Sequence, residues 1–220
     1  EGRGVEKDCK EAARWIHRAV EQGDAAAQHA LGLFYRDGRG VAQDVKEAAR
    51  WFQLASEQGH VEAQFKLDVL YLDGHGVDKN YKKAAQWFRR AAEQGYVAAQ
   101  FNLGIMYNEG HGVEKNDKEC ARWYQMAAEQ GYAEAQFNMG SGYDEGLGVE
   151  KNTKEAALWY RLAADQGHAE AQTNLGVTYY EGHGMEKNSK EAARWTRLAA
   201  EKGHAEAQVN LGTMYNEGHG

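Results

Sequence analysis

Apolar and small residues recur along the chain at helical spacing, and each block ends in a break rich in glycine. Ala48 precedes Trp51 by three residues and Ala55 follows it by four, so the three side chains share one face of a helix. In a following block Ala99, Leu103, Met106 and Tyr107 fall on one side of a second helical wheel. The pattern predicts two amphipathic helices, B and then A in chain order. One or two residues link them after a Gln-Gly or Lys-Gly step, and so short a link makes the pair antiparallel.

The two-helix pattern repeats. Tryptophan stands at Trp15, Trp51, Trp87, Trp123, Trp159 and Trp195, an interval of 36 residues each time. An alanine follows each tryptophan by four, from Ala19 to Ala199, and an alanine precedes it by three except where Cys120 takes that place. Helix B opens at Asp8, Asp44, Asn80, Asn116, Asn152 or Asn188, short polar side chains able to accept the unpaired amides of a first turn. Three residues later stand Glu11, Glu47, Glu119, Glu155 and Glu191, with Lys83 the exception, which predicts a variant of the capping box. Helix A ends at a Gly-x-Gly such as Gly38 and Gly40.

A hairpin of this size cannot bury its apolar face alone, whereas stacked copies share a continuous core. The fold class expected is therefore all-α, a solenoid of two-helix repeats, with one array of about six pairs over residues 1–220. The tryptophan row reads as core, its indoles filling gaps that the small alanines leave. Truncating one is expected to cost about 3 to 5 kcal/mol.

Composition narrows the function. Lys and Arg number 26 against 33 Asp and Glu, a formal charge of -7, so no excess of cations is available for phosphates or anionic lipid. Nucleic acid is not an expected partner, and no apolar run approaches the roughly 18 to 20 residues of a membrane span. Cys9 and Cys120 cannot form a disulfide framework, and no CxxC or zinc-ligand spacing occurs. Phosphate-loop, zincin, nucleophile-elbow and dinucleotide motifs are missing as well. Gly140-Ser141-Gly142 lies within a helical pattern, so Ser141 reads as a variable groove or packing position.

The recurrent string AEAQFNLGxMYxEGxGVEKNxKExARWYxxAAEQG, matched almost position by position over residues 132–167, resembles the Sel-one-like repeat family of tetratricopeptide-like solenoids. The resemblance spans the whole chain. It implies a right-handed superhelix whose A helices line a concave surface, with protein binding as the usual role. It also implies a bacterial source and makes export to the periplasm or medium plausible. Some relatives carry a disulfide in each repeat and have been linked to β-lactam or peptidoglycan-like substrates; this chain departs from that cysteine pattern.

If the constant positions build the scaffold, function lies where copies differ. Helix A carries a second, variable stripe opposite its constant face, and by analogy with the family this stripe faces the groove. Its candidate partner-binding residues are Phe65, Val69, Leu72, Phe101, Asn102, Ile105, Asn108, Phe137, Asn138, Asp144 and Tyr180. Two readings of the phenylalanines stand: an apolar ladder for a peptide or helix, or packing between neighbouring A helices. The acids ending each A helix, Asp37, Asp73, Glu109, Glu145, Glu181 and Glu217, read either as sites for a basic partner or as acceptors for amides of the Gly-x-Gly loop, and their presence in every copy favours the second. Asn102, Asn138, Asn174 and Asn210 could bond a partner's backbone or their own helix. His75, His111, His183 and His219 read as solvated loop residues, because equivalent atoms on stacked helices lie about 8 to 10 Å apart, too far to share a metal.

The expected function is a non-catalytic scaffold that binds a protein or peptide, one with basic residues among the candidates, with no cofactor and no catalytic or metal residues. A hydrolase acting on β-lactam or peptidoglycan-like substrates is the alternative class. The last copy is as regular as the middle ones, so the array is expected to continue beyond this segment or to associate end to end with another chain.

Overall fold

The computed structural model describes residues 8–218, and the predicted hairpins are all present among them. The chain divides into two compact units, residues 1–114 and 115–220. The first holds α1 (Cys9–Glu21), α2 (Ala25–Asp37), α3 (Val45–Glu57), α4 (Val61–Asp73), α5 (Tyr81–Glu93) and α6 (Val97–Glu109). The second holds α7 (Asp117–Glu129), α8 (Ala133–Glu145), α9 (Thr153–Asp165), α10 (Ala169–Glu181), α11 (Ser189–Glu201) and α12 (Ala205–Asn216). Odd-numbered helices are B and even-numbered ones are A. No strand occurs among the described residues.

Local chemistry sets the ends of each helix. The carboxylate of Asp44 accepts the amides of Lys46 at 2.9 Å and Glu47 at 3.1 Å, and Asn152 and Asn188 do the same for α9 and α11. The reciprocal half of the capping box is not formed. The cap amides of Asp44, Asn80, Asn152 and Asn188 instead donate to the carbonyls of Tyr35, Tyr71, Tyr143 and Tyr179, at 2.8 to 2.9 Å, in the helix before. With that donor already taken, Glu47 pairs with Arg50 and Glu191 with Arg194, one turn along the surface. The N-terminus of each such B helix is thereby tied to the A helix that precedes it.

The Gly-x-Gly break uses its two glycines for different reasons. Gly38 and Gly74 close their helices in the left-handed conformation, φ 67° and 74°, which residues with a Cβ rarely adopt. The second glycine answers a close approach: a Cβ on Gly76 would lie 2.3 Å from the Val45 carbonyl oxygen, and one on Gly112 2.1 Å from that of Tyr81. Each loop therefore folds down onto the first turn of the B helix in its own hairpin.

The core corrects the expectation for tryptophan. Trp123 and Trp195 are buried, but Trp51, Trp87 and Trp159 are half-buried and Trp15 is 59% exposed. The centre of the B helix's buried face is the next residue, Phe52, Phe88, Tyr124, Tyr160 or Thr196, and the tryptophan lies about 100° round the helix at its shoulder. Guanidinium groups roof several indoles, as Arg18 does Trp15 and Arg90 does Trp87, each 4.6 Å from the ring centre. The glycine in mid helix A makes room for this residue. A Cβ on Gly32 would lie 2.6 Å from the Phe52 ring, and one on Gly140 2.5 Å from the Tyr160 ring, so the aromatic ring of the B helix packs directly on the backbone of the preceding A helix.

Asp68 stands at that glycine position in α4, fully buried, and neither carboxyl oxygen has a hydrogen-bond partner. Gly142 replaces a large side chain of other copies; a Cβ there would meet nothing closer than 3.4 Å, so the gap is real but shallow.

A glutamine clasp, which the apolar pattern does not reveal, joins successive hairpins. Gln64 donates to the Ser56 carbonyl at 3.2 Å and accepts from the Gln94 amide at 2.9 Å; Gln136 donates to Ala128 at 3.1 Å and accepts from Gln166 at 2.7 Å. Each buried amide thus bonds its own hairpin and the next. The recurrence of Gln28, Gln64, Gln100, Gln136, Gln172 and Gln208 beside alanine is the sequence signal for it. At the last junction Lys202 replaces the second glutamine and bonds Gly167 instead, which leaves the Gln172 oxygen buried without a partner. Lys202→Gln is expected to restore that bond and raise stability by about 1 kcal/mol, read as a higher urea midpoint at an unchanged slope.

Candidate partner-binding surface

The variable stripe of helix A does two things at once. Its first position reaches the residue that caps the next A helix. His29 lies 4.6 Å from His60 between ring centres, Phe65 lies 5.0 Å from Tyr96, Phe137 stacks on His168 at 4.8 Å, and the Thr173 hydroxyl is 3.0 Å from His204 Nδ1. Phe65 and Phe137 also pack on Phe88 and Tyr160 of the following B helices, at 6.0 Å in each case. This column is therefore a joint between hairpins, and it leaves Phe65 and Phe137 half-buried. Burial of the joint, with the neighbouring His60 second, pushes the His29 imidazole down to about 4.

The rest of the stripe is less committed. In the first unit Val69, Leu72, Phe101, Asn102 and Ile105 are half-buried and Asn108 is exposed. Asn102 turns its amide to its own helix, donating to the Ala98 carbonyl at 2.8 Å. In the second unit Phe137, Asn138, Asp144 and Tyr180 are half-buried, and the Tyr180 hydroxyl donates to Glu217 at 2.7 Å. Asp144 shares a polar pocket with Tyr160, Asn174, Thr178, Glu181 and Glu206. Thr178 stands there where other copies carry Phe34, Leu70, Met106 or Met214, and its small side chain leaves the space open.

The sequence favoured loop amides as the partners of the acids ending the A helices, and the structure corrects this. The amides of Arg39, His75, His111 and His183 bond carbonyls inside helix A, because the left-handed glycine turns them back toward it. The carboxylates bond the side chain between the glycines instead: Asp37 with Arg39 at 2.7 Å, Glu109 with His111 at 2.8 Å and Glu181 with His183 at 2.9 Å. The Arg36 guanidinium, which bonds Asp37 at 2.7 Å, holds its carboxyl below the usual range. His75, His111 and His183 are exposed, and His219 lies outside the described residues. No group of three or more potential metal ligands occurs among the described residues.

The reactive side chains take part in packing. The Tyr160 hydroxyl lies 3.4 Å from that of Ser141, and burial pushes the Cys120 thiol up to about 11, where little thiolate forms at neutral pH. No described helix is long and apolar enough to cross a membrane.

The Sel1 repeat matches residues 1–24, 25–60, 61–96, 97–132, 133–168, 169–204 and 205–220. Each complete match joins an A helix to the B helix that follows, and within the units α2 with α3, α4 with α5, α8 with α9 and α10 with α11 are the most extensively packed pairs. Among solved structures, a protective antigen of uropathogenic Escherichia coli with an SLR fold is 38% identical with a TM-score of 0.87. The similarity covers 94% of this chain but 44% of that one, so the chain spans less than half of the antigen's length. A Sel1 repeat protein from Oxalobacter formigenes is 34% identical with a TM-score of 0.83, covering 94% of this chain and 87% of that one. No curated protein matches the chain.

Proposed function

Because the chain belongs to the Sel1 repeat family, whose members are generally protein-interaction scaffolds on a typically non-catalytic fold, we propose that it is a scaffold that holds a protein segment against its A helices. The observation that carries this reading is the division of labour along helix A. One face is nearly constant between copies and buried over most of its length, while Val69, Leu72 and Ile105 vary between copies, keep apolar surface accessible and make no polar bond that the fold needs. An extended or helical segment would lay apolar side chains on those positions in the first unit. In the second unit the pocket around Asp144 and Glu206, where Glu181 is already held by His183, suits a lysine or arginine.

Phe65 and Phe137 contribute mainly as joints, so they are poor probes of binding. Leu72→Glu with Ile105→Glu changes accessible positions outside the joint. Peptides selected from a random library on the parent chain should lose affinity for this variant by about a hundredfold, with helicity and unfolding midpoint retained. Undiminished binding by a folded variant would remove the A-helix surface from the mechanism.

A further inference from the structure

Four B helices neutralise their outer face with a Glu-Arg pair one turn apart: Glu11–Arg14 at 3.1 Å, Glu47–Arg50 at 3.6 Å, Glu119–Arg122 at 3.5 Å and Glu191–Arg194 at 3.2 Å. In α9 the acid remains as Glu155 but leucine replaces the arginine. Helix α5 has neither member, carrying Lys83 and Gln86 at those positions. It also carries Arg89 and Arg90 in sequence, and its only acid is Glu93. At 100° per residue Lys82, Gln86, Arg89 and Glu93 form one line, with Lys79, Lys83 and Arg90 beside it, and all are exposed.

These cations are seated rather than loose. The Lys79 ammonium lies 4.9 Å over the Tyr81 ring, Lys83 lies 5.1 Å over Tyr71, and the Arg90 guanidinium lies 4.6 Å over Trp87. Arg89 donates to the Tyr107 hydroxyl. A ring beneath a cation limits its rotamers without neutralising it, so less side-chain entropy is lost when an anion arrives. Lys82, Gln86, Arg89 and Arg90 also wall a shallow depression closed by Gly112 and Val113.

We propose that the outer face of α5 is a second docking surface, separate from the A-helix stripe, and that its partner is a protein segment rich in aspartate and glutamate. The cationic stripe follows a helix about 20 Å long, the reach of a short acidic helix or strand. Carboxylates match it better than a nucleic acid does, because the formal charge of -7 on the whole chain repels a long polyanion that runs past the stripe.

The test uses a fluorescent glutamate- and aspartate-rich peptide, a glutamine-substituted control peptide and a single-stranded oligonucleotide, each titrated against the full chain at low and moderate salt. The variant Lys83→Glu, Gln86→Arg, Arg90→Leu installs residues that other copies carry in the same places, so folding is preserved. Lys118→Glu removes a cation from the outer face of α7 and serves as the comparison. Binding of the acidic peptide should weaken by about tenfold in the triple variant and with added salt, and stay unchanged in Lys118→Glu. Equal binding by the triple variant, equal binding of the control peptide, or tighter binding of the oligonucleotide would each overturn the proposal.

Discussion

An Asp68→Gly variant is expected to be more stable than the parent chain by about 3 kcal/mol at neutral pH. Burial pushes the Asp68 carboxyl up to about 10 from an ordinary value of 3.8, and the nearby Lys66 ammonium and Val69 amide offset little of it. Neither oxygen meets hydrogen-bond geometry with any donor. The folded chain therefore holds a proton that the unfolded chain releases above its ordinary value. Stability from this group is complete below about pH 4 and falls by about 1.4 kcal/mol per pH unit as pH rises toward the folded value. Asp68→Asn should abolish that slope while keeping a buried, unbonded polar group; Asp68→Gly should abolish the slope and also restore the bare helix backbone on which a ring packs at Gly32 and Gly140. Urea unfolding of the three proteins between pH 5 and 9 gives the measurement. Parallel pH profiles for parent and glycine variant would show that Asp68 is solvated and ionised in the folded state.

Phe52→Ala should cost about 3 to 5 kcal/mol, while Trp51→Ala should cost about half as much despite removing the larger side chain. Phe52 is fully buried, lies 5.7 Å from the His29 ring and fills the space above Gly32, so truncation leaves a cavity that the α2 backbone cannot close. Trp51 is half-buried, its indole N–H has no partner, and water can reach the space it vacates. Paired urea titrations decide the order, and a larger loss at Trp51 would return the indole to the centre of the joint.

The two residues differ by one position in sequence, and that difference marks how much the sequence could reveal. The 36-residue spacing identified the repeat because the tryptophan is constant, yet constancy did not say whether the indole sits at the centre of a face or at its shoulder. The adjacent residue at Phe52, Tyr160 and Thr196 is less uniform and more buried than its tryptophan, since the glycine across the joint accepts any side chain of suitable length. The candidate site divided in the same way. Copy-to-copy variation located the stripe, but whether Phe65 faces a partner or Tyr96 depends on the next hairpin's position, which no helical wheel contains.

By itself the sequence determined the all-α class, the hairpin repeat, the cap residues of helix B and the glycine stops, because helix periods and capping are set by residues a few positions apart. Tertiary structure decided the glutamine clasp, the cap amides that reach the preceding helix, and the buried unpaired Asp68. Each of these joins groups in different elements or fixes a residue's solvation, and both are settled only when one helix packs against another.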